Sequence, residues 1–175
     1  TVVRAVRHGD LPALLEINGD DETTRFLPYA SWQGMADAEA WFARIQGFVE
    51  QGHTRQLVVA RREDDRVIGA IVLFRFDEDS ARLELGYVFG RQYQGHGYAH
   101  EAVAATLAQA FGAMAIRRIE AEVNPANLPS CALVERLGFR LEGTLRQRWC
   151  GKGSCYDTRI YGLLASEFAH RPAQG

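Results

Sequence analysis

Six residues, Gln94-Gly95-His96-Gly97-Tyr98-Ala99, have the types and spacing of an anion-binding turn. They follow an alternating, strand-like run, Arg82 to Phe89, and open a helix-like run, Tyr98 to Met114. Glycine lets the backbone approach a ligand closely, and a helix start offers unpaired N–H groups and a partial positive charge. A pyrophosphate suits such a place. The plainer alternative is a strand-to-helix turn without a ligand, since glycines commonly end strands. A phosphate-transferring P-loop would need Lys and then Ser or Thr after its last glycine, and this chain has Tyr98 and Ala99. His96 and His100 have the spacing of two metal ligands on one helix face. His96, however, falls in the loop, and Gly97 stands where a metalloprotease helix carries Glu. No metal site is expected.

Downstream, a second strand-like run, Arg118 to Val123, leads into Asn124-Pro125-Ala126-Asn127-Leu128-Pro129-Ser130, a short helical stretch and Leu137-Gly138-Phe139. With these residues the chain resembles the GNAT superfamily of N-acetyltransferases. Their acetyl-CoA loop reads Q/R-x-x-G-x-G/A, met here by Gln94, Gly97 and Ala99. Within that superfamily it is most similar to the RimJ/RimL type. The Asp20-to-Phe42 region, with Arg25-Phe26-Leu27-Pro28, resembles that type's acceptor lid. Leu85-Gly86-Tyr87, Asn127-x-x-Ser130 and the segment Asp157 to Leu164 are similar too. The likeness spans essentially the whole chain, as four motifs in order.

The resemblance implies acetyl-CoA as cosubstrate and transfer of its acetyl group to a primary amine, of a protein N-terminus or a small molecule, by direct attack in a ternary complex. It implies that the N–H groups of Gly95, His96, Gly97, Tyr98 and Ala99, with Gln94, hold the CoA pyrophosphate. Position 96 is often Lys or Arg in the family; His96 supplies charge near a phosphate less reliably. Backbone groups near Val88 and Phe89 would orient the thioester, and Asn127 would bond the pantetheine arm. Val134 stands where the family often has a proton-donating Tyr, and it has no proton to give. Ser130 is similar to the RimJ/RimL substitute that stabilises the departing thiolate. The plainer reading has Asn127 and Ser130 capping and supporting a helix start.

Amine acetylation needs a neutral amine, yet amines are protonated at neutral pH. A strand carboxylate beside the thioester can remove that proton. Glu84 lies near where the family often carries such a glutamate; otherwise it is a surface carboxylate paired with Arg82 or another cation. Tyr87 is a weaker competitor, because an odd separation puts it on the opposite strand face. Tyr29 and Trp32, in a loop, are acceptor-binding candidates together with Glu84, whereas Trp41 fits a helix stripe and reads as packing. Arg136 reads as a solvated helix-face cation. Cys131 lacks an activating neighbour for covalent catalysis. A non-catalytic acyl-CoA-binding module and an unrelated nucleotide-binding protein remain as alternatives.

The elements must place these groups. The chain has 175 residues, 47% hydrophobic and 24% charged, with a net charge of −2. That fits one domain, expected over 1–170 with a frayed tail at 171–175, and gives no general attraction to nucleic acid or anionic membrane. An amine-bearing acceptor is compatible with this charge. No apolar run has the length of a membrane span and no basic-then-apolar signal opens the chain, so the cytoplasm is expected. Cys131, Cys150 and Cys155 are too few for a disulfide scaffold and read as reduced, although the last two have the spacing of a hairpin bridge.

Val2 to Val6 is a first strand. Asp10 reads as the N-cap of a short helix, and Gly19 to Gly34 as a loop with a heavy apolar load. Asp37 to Gln51 is helical. Gln56 to Arg62, Val67 to Phe76 and Arg82 to Phe89 form a three-strand meander, with Gly69 marking a bulge or bend. The long helix, the strand at Arg118, a helix from Pro129 to Leu137 capped by Gly138, and a hairpin around Gly151-Lys152-Gly153 complete the order. This predicts an α/β (α+β) layer fold, a mixed and largely antiparallel sheet of about seven strands flanked by about four helices. The strands on either side of the long helix should be parallel neighbours, and the resemblance implies that they splay at the cofactor cleft. Exposed edges of the C-terminal hairpin, together with the resemblance, point to a homodimer.

Overall fold

Val58-Val59-Ala60 is an unbroken apolar run, as a strand covered on both faces requires, and all three residues are buried. In the computed structural model, which describes residues 1–169, that strand lies inside a seven-stranded sheet of order β1-β2-β3-β4-β5-β7-β6. The strands are β1 (Val2–Ala5), β2 (Thr54–Ala60), β3 (Val67–Asp77), β4 (Arg82–Phe89), β5 (Arg118–Val123), β6 (Arg140–Gly151) and β7 (Ser154–Leu164). Every neighbouring pair is antiparallel except β4 and β5.

Helices α1 (Leu11–Asn18) and α2 (Met35–Glu50) cover one face, packing Leu11, Leu14, Ile17 and Phe42 onto Val58, Val67 and Ala70. Helices α3 (Tyr98–Phe111) and α4 (Leu128–Arg136) cover the other, where Val103, Leu107 and Val134 meet Ile71, Leu83, Leu85 and Ile119. A short α5 (Ala165–Ala169), absent from the sequence reading, sets Phe168 against Phe111 at 5.2 Å between rings. Its five residues are too few for a periodic signal.

The crossover through α3 makes β4 and β5 parallel, as expected, and their register is short: Arg82 with Arg118, Leu83 with Ile119, Glu84 with Glu120. Past Glu84 the ladder between them ends while each strand continues, and the sheet opens there.

Several expectations need correction. Cys150 and Cys155 are a disulfide rather than reduced thiols; they face each other directly in the β6–β7 ladder. Asp10 stands before α1, but its side chain makes no cap bond. It accepts from the Arg7 amide and pairs with Arg4 at 2.8 Å, and that bidentate guanidinium contact replaces the cap. The expected frayed tail, 171–175, lies outside the described residues. At Gly69 the bulge expectation holds: the register shifts opposite it, and an added Cβ would sit 2.5 Å from the Phe89 ring.

Candidate active site

Strand alternation decides which side chains meet. On β4, Leu83 and Leu85 point into the α3/α4 core, so Glu84, Gly86 and Val88 point to the α1/α2 side. On β5, Ile119, Ala121 and Val123 are buried under α3 and α4, so Glu120 and Glu122 share the face of Glu84. Where β4 and β5 part, a cleft of about 440 Å³ opens, lined from both faces. Tyr29, Trp32, Glu84, Val88, Asn127 and Ser130 all line it. Trp41, expected only to pack, lines it too, with its ring 5.4 Å from that of Trp32.

Glu84 is 8% exposed. Burial pushes its carboxyl above the ordinary range, Arg75 opposes this, and the nearby charges of Glu122 and Glu120 add to the rise. Its partner is Arg75, with Nη1 donating at 2.6 Å, the other cation that the surface-pair reading allowed, while Arg82 is held by Asp77 and Glu120. A raised carboxyl on a cleft wall has the character of a proton acceptor.

Ser130 sits in the first turn of α4. Asn127 caps that helix, its Oδ1 accepting from the Ser130 amide at 3.2 Å, so the capping reading holds for this residue. The Ser130 hydroxyl lies 2.7 Å from the Tyr87 hydroxyl. Burial pushes the Tyr87 phenol up to about 12, which keeps it a donor at neutral pH. Tyr87 thus lies on the opposite strand face from Glu84, as alternation requires, and beside Ser130.

The loop follows a 3-10 turn at Arg91–Tyr93. Gly95 and Gly97 have φ of +77° and +82°, and an added Cβ at either would meet nothing within 4 Å. Both therefore stand beside open space in a conformation that side chains resist. Gly97 precedes α3, and its carbonyl accepts the first helical bond from Glu101, so the amides between them have no intrahelical acceptor. The Gln94 side chain donates to the Phe89 carbonyl at 3.0 Å and ties the loop to the end of β4. His96 donates to the Gln94 carbonyl at 2.8 Å, and its ring stacks 5.9 Å from that of Tyr98. Tyr98 and Ala99 begin the helix and pack on its core. These open, donor-rich amides fit a pyrophosphate. The loop and Phe89 do not line the 440 Å³ cleft itself.

Gly90 donates to the Ile68 carbonyl, so Gly90 and Val88 exchange their bonds with β3. The peptide groups of Tyr87 and Phe89 turn the other way, toward the gap. Of the two backbone positions expected near a thioester, Phe89 and not Val88 thus has its peptide group on that edge.

Several cleft residues escaped the sequence reading. Arg75 lies in a left-handed conformation (φ +52°) where the β3–β4 register shifts, so strand periodicity fails there. Glu122 takes Trp149 Nε1 at 2.7 Å and Arg148 at 3.3 Å. Its signal was present in the alternation of β5, two residues beyond the partner of Glu84. Trp149 and Tyr156 arrive because β7 pairs with β5. Thr158 lines the cleft with its hydroxyl buried and unpartnered among the described residues.

Among the described residues no helix is long and apolar enough to cross a membrane. The acetyltransferase (GNAT) domain family matches residues 1–140. An uncharacterized N-acetyltransferase, p20 of Bacillus licheniformis, is 30% identical over 167 residues, covering 95% of this chain and 94% of the relative. Two solved structures share the fold. RimJ of Mycobacterium smegmatis in complex with CoA-disulfide superposes with a TM-score of 0.86 at 24% identity, over 94% of this chain and 82% of its own. A spermidine N-acetyltransferase of Vibrio cholerae in complex with CoA and spermine gives 0.85 at 20% identity, over 97% and 98%. The chain belongs to the acetyltransferase (GNAT) domain family and is an acetyl-CoA-dependent N-acetyltransferase.

Proposed function

We propose that this enzyme moves the acetyl group directly from acetyl-CoA to a primary amine within a ternary complex. One observation carries the reading. Glu84 and Ser130 belong to opposite faces of the sheet, yet both line one cleft because β4 and β5 part between them. The donor approaches from the α3/α4 side and the amine from the α1/α2 side.

In this reading the amides of Gly95 to Ala99 bind the pyrophosphate, Asn127 and Ser130 flank the pantetheine arm, and the Phe89 peptide orients the thioester. Tyr29 and Trp32 bound the acceptor. The new N–C bond forms as the C–S bond breaks. Of the two protons the nitrogen sheds, one leaves through Glu84 to solvent and the other ends on the CoA sulfur. Ser130, held by Tyr87, stabilises that sulfur as it departs. The acceptor is a protein N-terminal amine or a small-molecule amine. Strand β6 is exposed along most of its length, with Leu141 and Leu145 49% and 43% exposed, and supports a homodimer through that edge. A dimeric mass by light scattering is expected; a monomer at micromolar concentration overturns it.

The test of the reaction is thiol release from acetyl-CoA with a panel of amines. Release that requires an amine and follows sequential kinetics is expected. Ping-pong kinetics would overturn the direct attack. CoA binding without turnover on any amine would leave an acyl-CoA-binding module.

A further inference from the structure

The acceptor end of the cleft has a composition that selects among amines. Two acidic side chains line it, Glu84 and Glu122. Glu122 already holds Trp149 and Arg148, and Arg75 reaches both carboxylates, at 2.6 Å and 3.4 Å. Arg75 is 48% exposed and donates to Glu84 from the solvent side, so an incoming ammonium can displace it there. Glu122 sits among three donors. The site therefore offers one carboxylate, not a series of them, to a cation. A second ammonium on the same molecule would meet Arg75 and lose its hydration uncompensated.

The remaining wall is largely apolar and aromatic. Phe26, Trp32, Trp41, Phe74, Trp149 and Tyr156 supply rings from the loop, α2, β3 and the hairpin. Such walls favour flat apolar bodies, and aromatic pairing adds to plain burial.

The loop and the hairpin are also joined. Lys152, at the β6–β7 tip, donates to the Thr24 carbonyl at 2.7 Å, and Gly151 lies against the Pro28 carbonyl. The Cys150–Cys155 bridge holds that tip. This contact ties the loop that brings Phe26 and Tyr29 into the cleft to the hairpin that brings Trp149 and Tyr156.

We infer that the acceptor is a small, singly charged primary amine carrying an apolar body the size of an aromatic ring. This rests on the transferase reading above and selects among its acceptors. The test measures kcat/KM at saturating acetyl-CoA for phenethylamine, n-butylamine, spermidine and a tetrapeptide with a free N-terminal serine. Phenethylamine is expected to exceed each of the others by at least about tenfold, the scale on which apolar pockets discriminate. Arg75→Gln should then narrow the gap between phenethylamine and spermidine, because it removes the cation that a second ammonium would meet between Glu84 and Glu122. Spermidine or the peptide equalling phenethylamine overturns the inference and leaves the transferase reading standing, as does a selectivity that Arg75→Gln does not move. CoA binding by calorimetry with no thiol release from any amine overturns both.

Discussion

The two parts of the proposed site, the loop at its donor end and the cleft at its acceptor end, are built differently. At the donor end, Gly95 and Gly97 hold left-handed backbone beside open space, and the groups on offer are amides from one short segment of chain. At the acceptor end, Glu84, Arg75, Glu122, Trp149 and Tyr156 come from five strands, and side chains supply the chemistry. A backbone site needs a local conformation, which glycines and a helix start supply by themselves. A side-chain site needs strands to pair in one order and register, and it changes with any residue on its faces. The donor end can thus stay constant while the acceptor end is free to vary.

The largest break in this contrast should come at the acceptor end. Glu84→Gln keeps the size but removes the proton acceptor. Turnover at pH 7 should fall by roughly 10²–10⁴-fold, with acetyl-CoA affinity nearly unchanged, and the defect should shrink at higher pH as more amine is already neutral. Steady-state rates against pH, with calorimetry for CoA, decide it. Near wild-type turnover at pH 7 would remove Glu84 from the role of base.

The donor end should break by repulsion and strain. Gly97→Glu places a side chain at φ +82° and a negative charge beside the phosphates. An unfavourable interaction of about 4 kcal/mol, roughly three decades in affinity, is expected near a surface. Titration calorimetry on a variant with an unchanged far-UV spectrum checks it. Intact CoA affinity would sink the loop assignment.

Where the two ends meet, smaller effects are expected. Ser130→Ala and Tyr87→Phe each remove one hydroxyl of a linked pair, so each should lower kcat by about tenfold, near the worth of a single hydrogen bond. The double variant should lose less than the product of the two, because the hydroxyls act together. Additive losses in kcat would mean that they work separately.

The finest test is electrostatic. Arg75 favours the charged form of Glu84, so Arg75→Gln should raise the Glu84 pKa further. Activity that needs the carboxylate then appears only at higher pH. The acid limb of kcat/KM should move upward by about one unit, the lower end of the effect of a close opposite charge. Glu122 and Glu120, which push the same way, remain in place, as does Arg148. An unmoved limb would mean that another group sets it.

Much of this protein was legible in its residues because the signals were local. The loop at Gln94–Ala99, the alternation of β4 and β5, the bulge at Gly69 and the parallel pair across α3 each follow from a few neighbouring residues or from the handedness of crossovers. The roles proposed for Glu84 and Ser130 needed the family resemblance, which supplied the chemistry. Tertiary structure alone decided what depends on distant pairing. The insertion of β7 between β5 and β6 brings Trp149 and Tyr156 to the acceptor wall and sets Cys150 opposite Cys155. A left-handed Arg75 reaches Glu84 where strand periodicity would have offered Arg82. Period and propensity act over a few residues, whereas these contacts join β3 to β4 and β5 to β7 through sheet order, which short-range patterns do not encode.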